Sequence, residues 1–229
     1  MAELSPHWIS DRIFTAVKPA GLPVFPPHSD PKGDCVLRRI QAPPSAEDWP
    51  EGFAGGIAHR LDIPTSGQLL VARSLEDLDW LRALFSSRSL LKRYRFLTSR
   101  TVPWSEHKVE RPIAHDRRNR RRMVIQRGAQ TPHRGKWLPA ATEFQYLGAT
   151  EGDLHLWEAR MRSGVMHQIR LHAASVGLAL AGDRLYGGGE WTFERPEGAH
   201  FALHHLGAEG PGLTPETVPV PAWWPQTLR

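Results

Sequence analysis

Residues 58–67, AHRLDIPTSG, combine one carboxylate with a run of turn-forming residues. Asp62 stands two positions after the cation Arg60, and the proline, threonine, serine and glycine that follow all favour turns over regular structure. An apolar run comes next, GQLLVARS at residues 67–74, which is typical of a buried strand. The pattern predicts an acidic side chain on a turn that leads into a sheet.

The composition predicts a folded, basic protein. Of the 229 residues, 40% are hydrophobic and 23% are charged, close to the average of globular proteins, and this length suits one domain. We therefore expect a single domain over residues 1–229. Lysine and arginine total 29 against 24 acidic residues, giving a net charge of +5, and the excess is concentrated in one arginine-rich stretch. Such clustering favours a polyanionic partner.

Other features of the sequence predict a cytoplasmic protein without a metal. The one cysteine, Cys35, cannot form an internal disulfide or a cysteine-based zinc site, which suits a reducing compartment. Neither a leader nor an uncharged run of membrane-spanning length is visible, so we expect no membrane association. The histidines at 167, 172, 200, 204 and 205 lack acidic partners at ligand spacing. We also expect a monomer with no obligate protein partner.

Helices and strands alternate irregularly along the chain. Residues 74–90, SLEDLDWLRALFSSRSL, predict a helix that starts at Ser74. KRYRFLTSR alternates as a strand does, with Lys92 and Tyr94 on one face. Two further alternating stretches, ATEFQYLG and DLHLWEARMR, predict a hairpin, GVMHQIRLHAASVG a short helix, and HFALHHLG a last strand. This order predicts an α+β fold with a mixed, largely antiparallel β-sheet flanked by helices and loops.

The arginine-rich stretch DRRNRRR has poor apolar periodicity, which predicts an exposed loop or hairpin. Its guanidinium groups suit contacts with an RNA backbone, although a merely solvated loop would have the same sequence. The arginines concerned are Arg117, Arg118, Arg120, Arg121 and Arg122.

Five motifs together resemble the RluA-type RNA pseudouridine synthase family, which isomerises uridine to pseudouridine in ribosomal or transfer RNA. HRLDIPTSG is similar to the signature HRLDxxTSG of that family, and KPAGLPV is similar to its entry strand and turn. KRYRF, HQIRLHAASVGLALAGDRLYGG and HFALHHL follow in the family's order, so the resemblance spans nearly the whole chain. It implies the pseudouridine synthase catalytic fold, an RNA substrate and no cofactor.

The resemblance also implies roles for individual residues. Asp62 would be the catalytic carboxylate, Tyr94 would stack on the uracil, and Arg170 would pair with Asp62. Each has an ordinary alternative, as a turn residue, a core residue and a solvated helix cation respectively. The expected substrate-binding residues are His59, Arg60, Thr65, Lys92, His167 and Gln168.

The chain departs from the family at Val165, where the family usually has arginine. If the cation that pairs with the catalytic carboxylate is Arg170, the active site is intact, and we favour this interpretation. If it were the missing arginine, the chain would be a catalytically weakened RNA-binding homologue. Only about 15 residues precede KPAGLPV, so we expect no separate N-terminal RNA-binding domain of the S4 type.

Overall fold

The computed structural model describes residues 4, 6–40, 50–190 and 193–228, and the remaining positions of the predicted 1–229 domain lie outside the described residues. The chain divides into two compact units. The first comprises residues 1–92, 195–199 and 204–221, and the second comprises residues 93–194, 200–203 and 222–229. The sequence expectation of one catalytic domain stays a prediction.

The first unit is built on a sheet that carries the acidic turn at one strand end. Its strands and helices, in chain order, are β1 (His7–Trp8), β2 (Ile13–Lys18), α1 (Val36–Arg39), a short 3-10 helix (Ala54–Gly56), β3 (Ser66–Ala72), α2 (Leu75–Ser86) and β11 (Leu203–Glu209), whose first residue belongs to the second unit. Strand β2 pairs antiparallel with β1 and β3, whereas β11 runs parallel to β3. Every residue of β3 is buried, as its apolar run predicts.

Helix α2 begins after Ser74, as the sequence predicts. Ser74 Oγ accepts the backbone N–H of Asp77 at 3.1 Å, and the Ser74 hydroxyl donates to the Asp77 carboxylate at 2.7 Å. Leu78 and Leu81 on the apolar face are fully buried in a cluster with Leu70 of β3. The helix therefore packs on the sheet through its apolar face.

Gly67, the last residue of the acidic motif, is required by the strand beside it. Its φ is +123°, and a Cβ at this position would lie 2.2 Å from the carbonyl oxygen of His205. The two residues are partners in the parallel pairing of β3 with β11. Any side chain here would separate these strands, which explains the glycine in the motif.

The second unit contains the predicted hairpin and a small separate sheet. Its strands and helix are β4 (Leu91–Thr98), β5 (Glu106–Glu110), β6 (Ile113–His115), β7 (Met123–Ile125), β8 (Arg134–Leu138), β9 (Ala141–Thr150), β10 (Leu154–Met161) and α3 (Gln168–Ser175), with the first two residues of β4 in the first unit. β9 pairs antiparallel with β10 and β5. β6 lies between β7 and β8 in a three-stranded antiparallel sheet. The parallel pairing of β3 with β11 stands beside several antiparallel pairings, so the predicted α+β fold with a mixed sheet is confirmed.

Candidate active site

Asp62 lies half-buried on a tight turn that is fastened to strand β3. We call residues 58–65 the Asp62 loop. The N–H of Thr65 donates to the carbonyl of Asp62 at 3.0 Å, which closes the turn. At the other end, His59 Nε2 accepts the backbone N–H of Leu70 at 3.1 Å. The ring of His59 thus accepts a backbone hydrogen bond from β3 and fixes the loop to the sheet.

This hydrogen bond requires a His59 ring with no proton on Nε2. Burial lowers the pKa of His59 well below its ordinary value, and the nearby His205 and Lys92 lower it further. Burial also lowers the pKa of His205 to about 4 and that of Lys92 to about 8. Both histidines are therefore neutral near pH 7. Substrate binding by His59 and Lys92 stays a prediction, while the structure gives His59 an anchoring contact.

Lys18 of the KPAGLPV motif fixes the Asp62 loop through hydrogen bonds, a role that the sequence did not predict. Its ammonium donates to the carbonyls of Pro19 and Ile63, both at 2.9 Å. The N–H of Gly21 donates to the same Ile63 carbonyl at 2.9 Å. Two residues of the KPAG turn therefore hydrogen-bond to the carbonyl of Ile63, the residue after Asp62. No local pattern signals this contact, since 45 residues separate the two partners.

The charge of Lys18 is coupled to Asp62. The side chain is fully buried, and burial lowers the pKa of Lys18 from its ordinary 10.5 to about 7, while the negative charge of Asp62 opposes this shift. The charges of Asp62 and Lys18 therefore act on each other within the first unit.

Lys18→Met is expected to flatten the dependence of stability on pH. Between pH 7 and 10.5 the unfolded chain binds more protons at this position than the folded chain, so the free energy of unfolding rises with pH across that window. The full penalty of burying the charge is present below pH 7. One such group contributes up to about 1.4 kcal/mol per pH unit. Urea unfolding at pH 7, 8 and 9 measures the slope, and the exposed Lys32→Met serves as the control. Parallel curves for wild type and Lys18→Met would contradict this assignment.

Arg170 forms a buried, two-point ion pair with Asp183. Its Nε and Nη2 donate to Asp183 Oδ2 and Oδ1 at 2.6 and 2.9 Å, and the side chains are 8% and 2% exposed. The pair uses two of the five N–H donors of the guanidinium. Asp183 therefore fixes the orientation of Arg170. Asp183 was not among the predicted site residues, although it belongs to the GDRLYGG motif.

Tyr186 of the same motif joins α3 to the three-stranded sheet. Its hydroxyl accepts the N–H of Met123 at 2.9 Å and lies 2.9 Å from His167 Nδ1. The ring centre is 5.0 Å from the guanidinium carbon of Arg170 and 5.8 Å from that of Arg122. Burial raises the pKa of Tyr186 to about 12, so the phenol stays protonated. This residue also had no role in the sequence analysis.

The other predicted site residues occupy varied environments. Tyr94 is buried on β4, and Thr65 is buried at the end of the Asp62 loop, whereas Arg60 is exposed. Gln168 donates to the carbonyl of Ala141 at 2.9 Å, which ties α3 to β9. Asp62 belongs to the first unit, while Tyr94 and Arg170 belong to the second, and the pairing of Asp62 with Arg170 stays a prediction.

The five predicted RNA-contacting arginines lie on the turn between β6 and β7, and all five are exposed. Asp116 shapes this turn, because its Oδ1 accepts the N–H groups of Arg118 and Asn119 at 2.7 and 2.9 Å. These two hydrogen bonds also lower the pKa of Asp116. The β6–β7 turn thus has a conformation fixed by Asp116, and its five arginines are exposed to solvent.

Two features are absent from the described residues. No group of three or more histidine, cysteine, aspartate or glutamate side chains is arranged to hold a metal ion. None of the helices is long and apolar enough to cross a membrane. Both findings concern the described residues only.

The fold is that of solved pseudouridylate synthase structures. It superimposes on human RNA pseudouridylate synthase domain containing 1 with a TM-score of 0.73 and 22% identity, covering 99% of this chain and 90% of that one. The corresponding values for human RNA pseudouridylate synthase domain containing 4 are 0.69, 21%, 95% and 89%. At this level of identity the likeness defines the fold.

The sequence comparisons define the family. The family model described as RNA pseudouridylate synthase matches residues 12–175. An uncharacterized RNA pseudouridine synthase of Chloroflexus aurantiacus is 33% identical, covering 74% of this chain and 50% of the relative. Ribosomal large subunit pseudouridine synthase D of Xylella fastidiosa is 32% identical, covering 84% and 54%. The chain belongs to the RNA pseudouridylate synthase family, which confirms the RluA-type resemblance. It spans about half the length of these curated relatives.

Proposed function

We propose that this chain isomerises specific uridines of RNA to pseudouridine, with Asp62 as the catalytic carboxylate. The observation that carries this proposal is the Asp62 loop. In a chain of this family, the signature aspartate lies on a turn fixed from two sides, by His59 on β3 and by Lys18 of the KPAG motif. Such double anchoring suits a group that must keep its position during a reaction.

The isomerisation breaks the bond between C1′ of the ribose and N1 of the uracil, rotates the base and rejoins it through C5. No electrons are gained or lost, so the reaction requires no cofactor. A carboxylate next to the sugar either attacks C1′ as a nucleophile or removes a sugar proton, and it stabilises positive charge on the ribose. Asp62 has one of these two roles.

Three further residues act on a nucleotide that has left the base stack. Eversion of the base costs a few kcal/mol, which new contacts must offset. The exposed guanidinium of Arg60 fills the vacated stack or binds a phosphate. Tyr94 stacks on the uracil and relays the C5 proton, and Arg170 pairs with Asp62. Asp183 supports this last role, because it orients the guanidinium of Arg170.

The remaining family positions are proposed to bind the nucleotide directly or to shape its pocket. His167 supports this proposal through its backbone, since its φ of +58° is unusual for a residue with a side chain and marks a constrained helix start. The residues concerned are His59, Thr65, Lys92, His167 and Gln168.

We infer that the substrate is ribosomal RNA, with transfer RNA as the alternative. Relatives from several bacteria are named ribosomal large subunit pseudouridine synthase D, including that of Zymomonas mobilis at 34% identity. The five exposed arginines of the β6–β7 turn suit phosphate contacts. The proposal further takes the protein as a cytoplasmic monomer that binds RNA through its catalytic fold.

Release of tritium from RNA that carries 5-tritiated uridine tests the proposed reaction. Isomerisation liberates the label and leaves the RNA chain intact. A catalytically weakened RNA-binding homologue, the alternative that Val165 raises, would release none, and a nucleoside hydrolase would yield free uracil. Either of these two outcomes would refute the proposal. Total RNA from cells that lack the gene is the appropriate substrate, because its target uridines are unmodified.

Replacing the five arginines of the β6–β7 turn by glutamine is expected to flatten the salt dependence of RNA binding. Each phosphate contact contributes about 0.7 to 0.9 to the slope of log affinity against log salt, because binding releases counterions. Titrations between about 50 and 200 mM salt measure the slope, because the affinity changes strongly over this range. Arg82→Gln, at an exposed arginine of the first unit, is the control. An unchanged slope in the five-residue variant would exclude this turn from the RNA-binding surface.

A further inference from the structure

A cavity of about 540 Å³ opens beside the arginine turn of the second unit. Four arginines line it, namely Arg117, Arg118, Arg122 and Arg127. Within the part of the chain that the structure describes, no carboxylate lies within ion-pair distance of any of them. Asp116 also lines the cavity, so four arginines stand against one carboxylate, and this excess of positive charge makes the cavity a candidate site for an anion.

Apolar residues also line the cavity, and we call them the apolar floor: Met123, Val124 and Ile125 of β7, Leu171 of α3, and Pro132. The volume lies in the range of about 300 to 1,000 Å³ that is typical of pockets for small organic molecules. The cavity therefore suits a ligand that combines a flat apolar part with a phosphate.

The walls of the cavity are held in place before any ligand binds. The hydroxyl of Tyr186 fixes the backbone N–H of Met123, and the ring of Tyr186 lies under the guanidinium of Arg122. Asp116 fastens the arginine turn through two backbone N–H groups. Its carboxylate also lines the cavity and is a suitable acceptor for the N–H groups of a nucleobase. A preformed site loses less entropy on binding than a flexible one.

We propose that this cavity binds an unpaired nucleotide of the RNA other than the target uridine, with the phosphate on the arginines and the base on the apolar floor. This inference rests on the proposed function, since it takes RNA as the substrate. It adds a second nucleotide pocket, in the three-stranded sheet, that contributes to the choice of RNA.

Binding of short single-stranded RNA, compared with an abasic strand of equal length and charge, tests the proposal. In wild type the strand with bases is expected to bind at least about fivefold more tightly, the usual contribution of one stacked base. Val124→Glu is expected to lower this ratio, and the part that remains comes from the target uridine in the active site. Arg127→Gln is expected to weaken both strands and to lower the salt slope by about 0.7, the value for one phosphate contact of a single strand.

Arg134→Gln is the matched control, because Arg134 is exposed on β8 of the same sheet and does not line the cavity. It is expected to leave the preference for bases unchanged. A ratio unaffected by Val124→Glu, or equal effects of Arg127→Gln and Arg134→Gln, would overturn the proposal. Thermal melting shows whether each variant is folded. Because Arg127 is exposed, Arg127→Gln changes the site without disturbing the apolar floor. Because the measurement is of binding alone, its outcome is independent of tritium release, which tests the reaction.

Discussion

Asp62→Ala is expected to abolish pseudouridine formation while RNA affinity stays within a few-fold of wild type. Removal of a nucleophile or proton acceptor that touches the reacting sugar lowers turnover by about 10⁴-fold or more. Binding changes little, because the proposed RNA contacts come from arginines elsewhere on the chain. Tritium release and RNA titration, on the same purified variant, measure the two effects.

Two controls separate catalysis from folding at this position. Asp62→Asn keeps the size of the side chain and removes its charge, and it is expected to be as inactive as the alanine variant. Asp11→Ala removes an exposed carboxylate of the same unit and is expected to leave activity unchanged. Turnover by Asp62→Ala within tenfold of wild type, an order-of-magnitude margin far smaller than the expected loss, would refute the assignment.

Asp183→Asn is expected to destabilise the fold more than any surface substitution. It replaces the acceptor of two charge-assisted hydrogen bonds with an amide, and it leaves the guanidinium of Arg170 buried without its compensating charge. Breaking a buried pair in this way costs about 3 to 5 kcal/mol. Urea unfolding measures the loss, which is a large share of the about 5 to 15 kcal/mol that stabilises a typical domain.

Glu110→Gln is the matched control, because Glu110 pairs with Lys108 where both side chains are more than half exposed. Exposed pairs contribute about 0 to 1 kcal/mol, so this variant is expected to resemble wild type. Equal stability losses for Asp183→Asn and Glu110→Gln would contradict the role assigned to the buried pair. The folded fraction of Asp183→Asn is expected to lose activity as well, since Arg170 would no longer be oriented.

Local patterns were sufficient wherever a short stretch of chain forms its own structure. The strand at residues 66–72, the capped helix that follows Ser74, and the hairpin of β9 and β10 agree with their sequence periodicities. The motif with Asp62 lies on a turn, as its proline and threonine predict. In each case the decisive interactions join residues that are neighbours in sequence or in one hairpin.

The supporting residues of the site were not predictable in this way. Lys18 meets Ile63 across 45 residues, and Tyr186 meets Met123 across 63. Such contacts arise when distant segments are packed together, and they leave no periodicity in the sequence. Asp183 and Tyr186 belong to a motif that the sequence shows, but the sequence does not show which residues they contact.

The sequence by itself determined the family, the α+β class and the identity of the acidic turn, because these depend on residue order and on local hydrogen bonding. Only the tertiary structure decided what surrounds the turn and Arg170. The buried ammonium of Lys18, the carboxylate of Asp183 and the arginine-lined cavity each bring together side chains from separate segments. The electrostatic effect of a charge depends on its burial and its distance from other charges, and the three-dimensional packing of the chain sets both quantities.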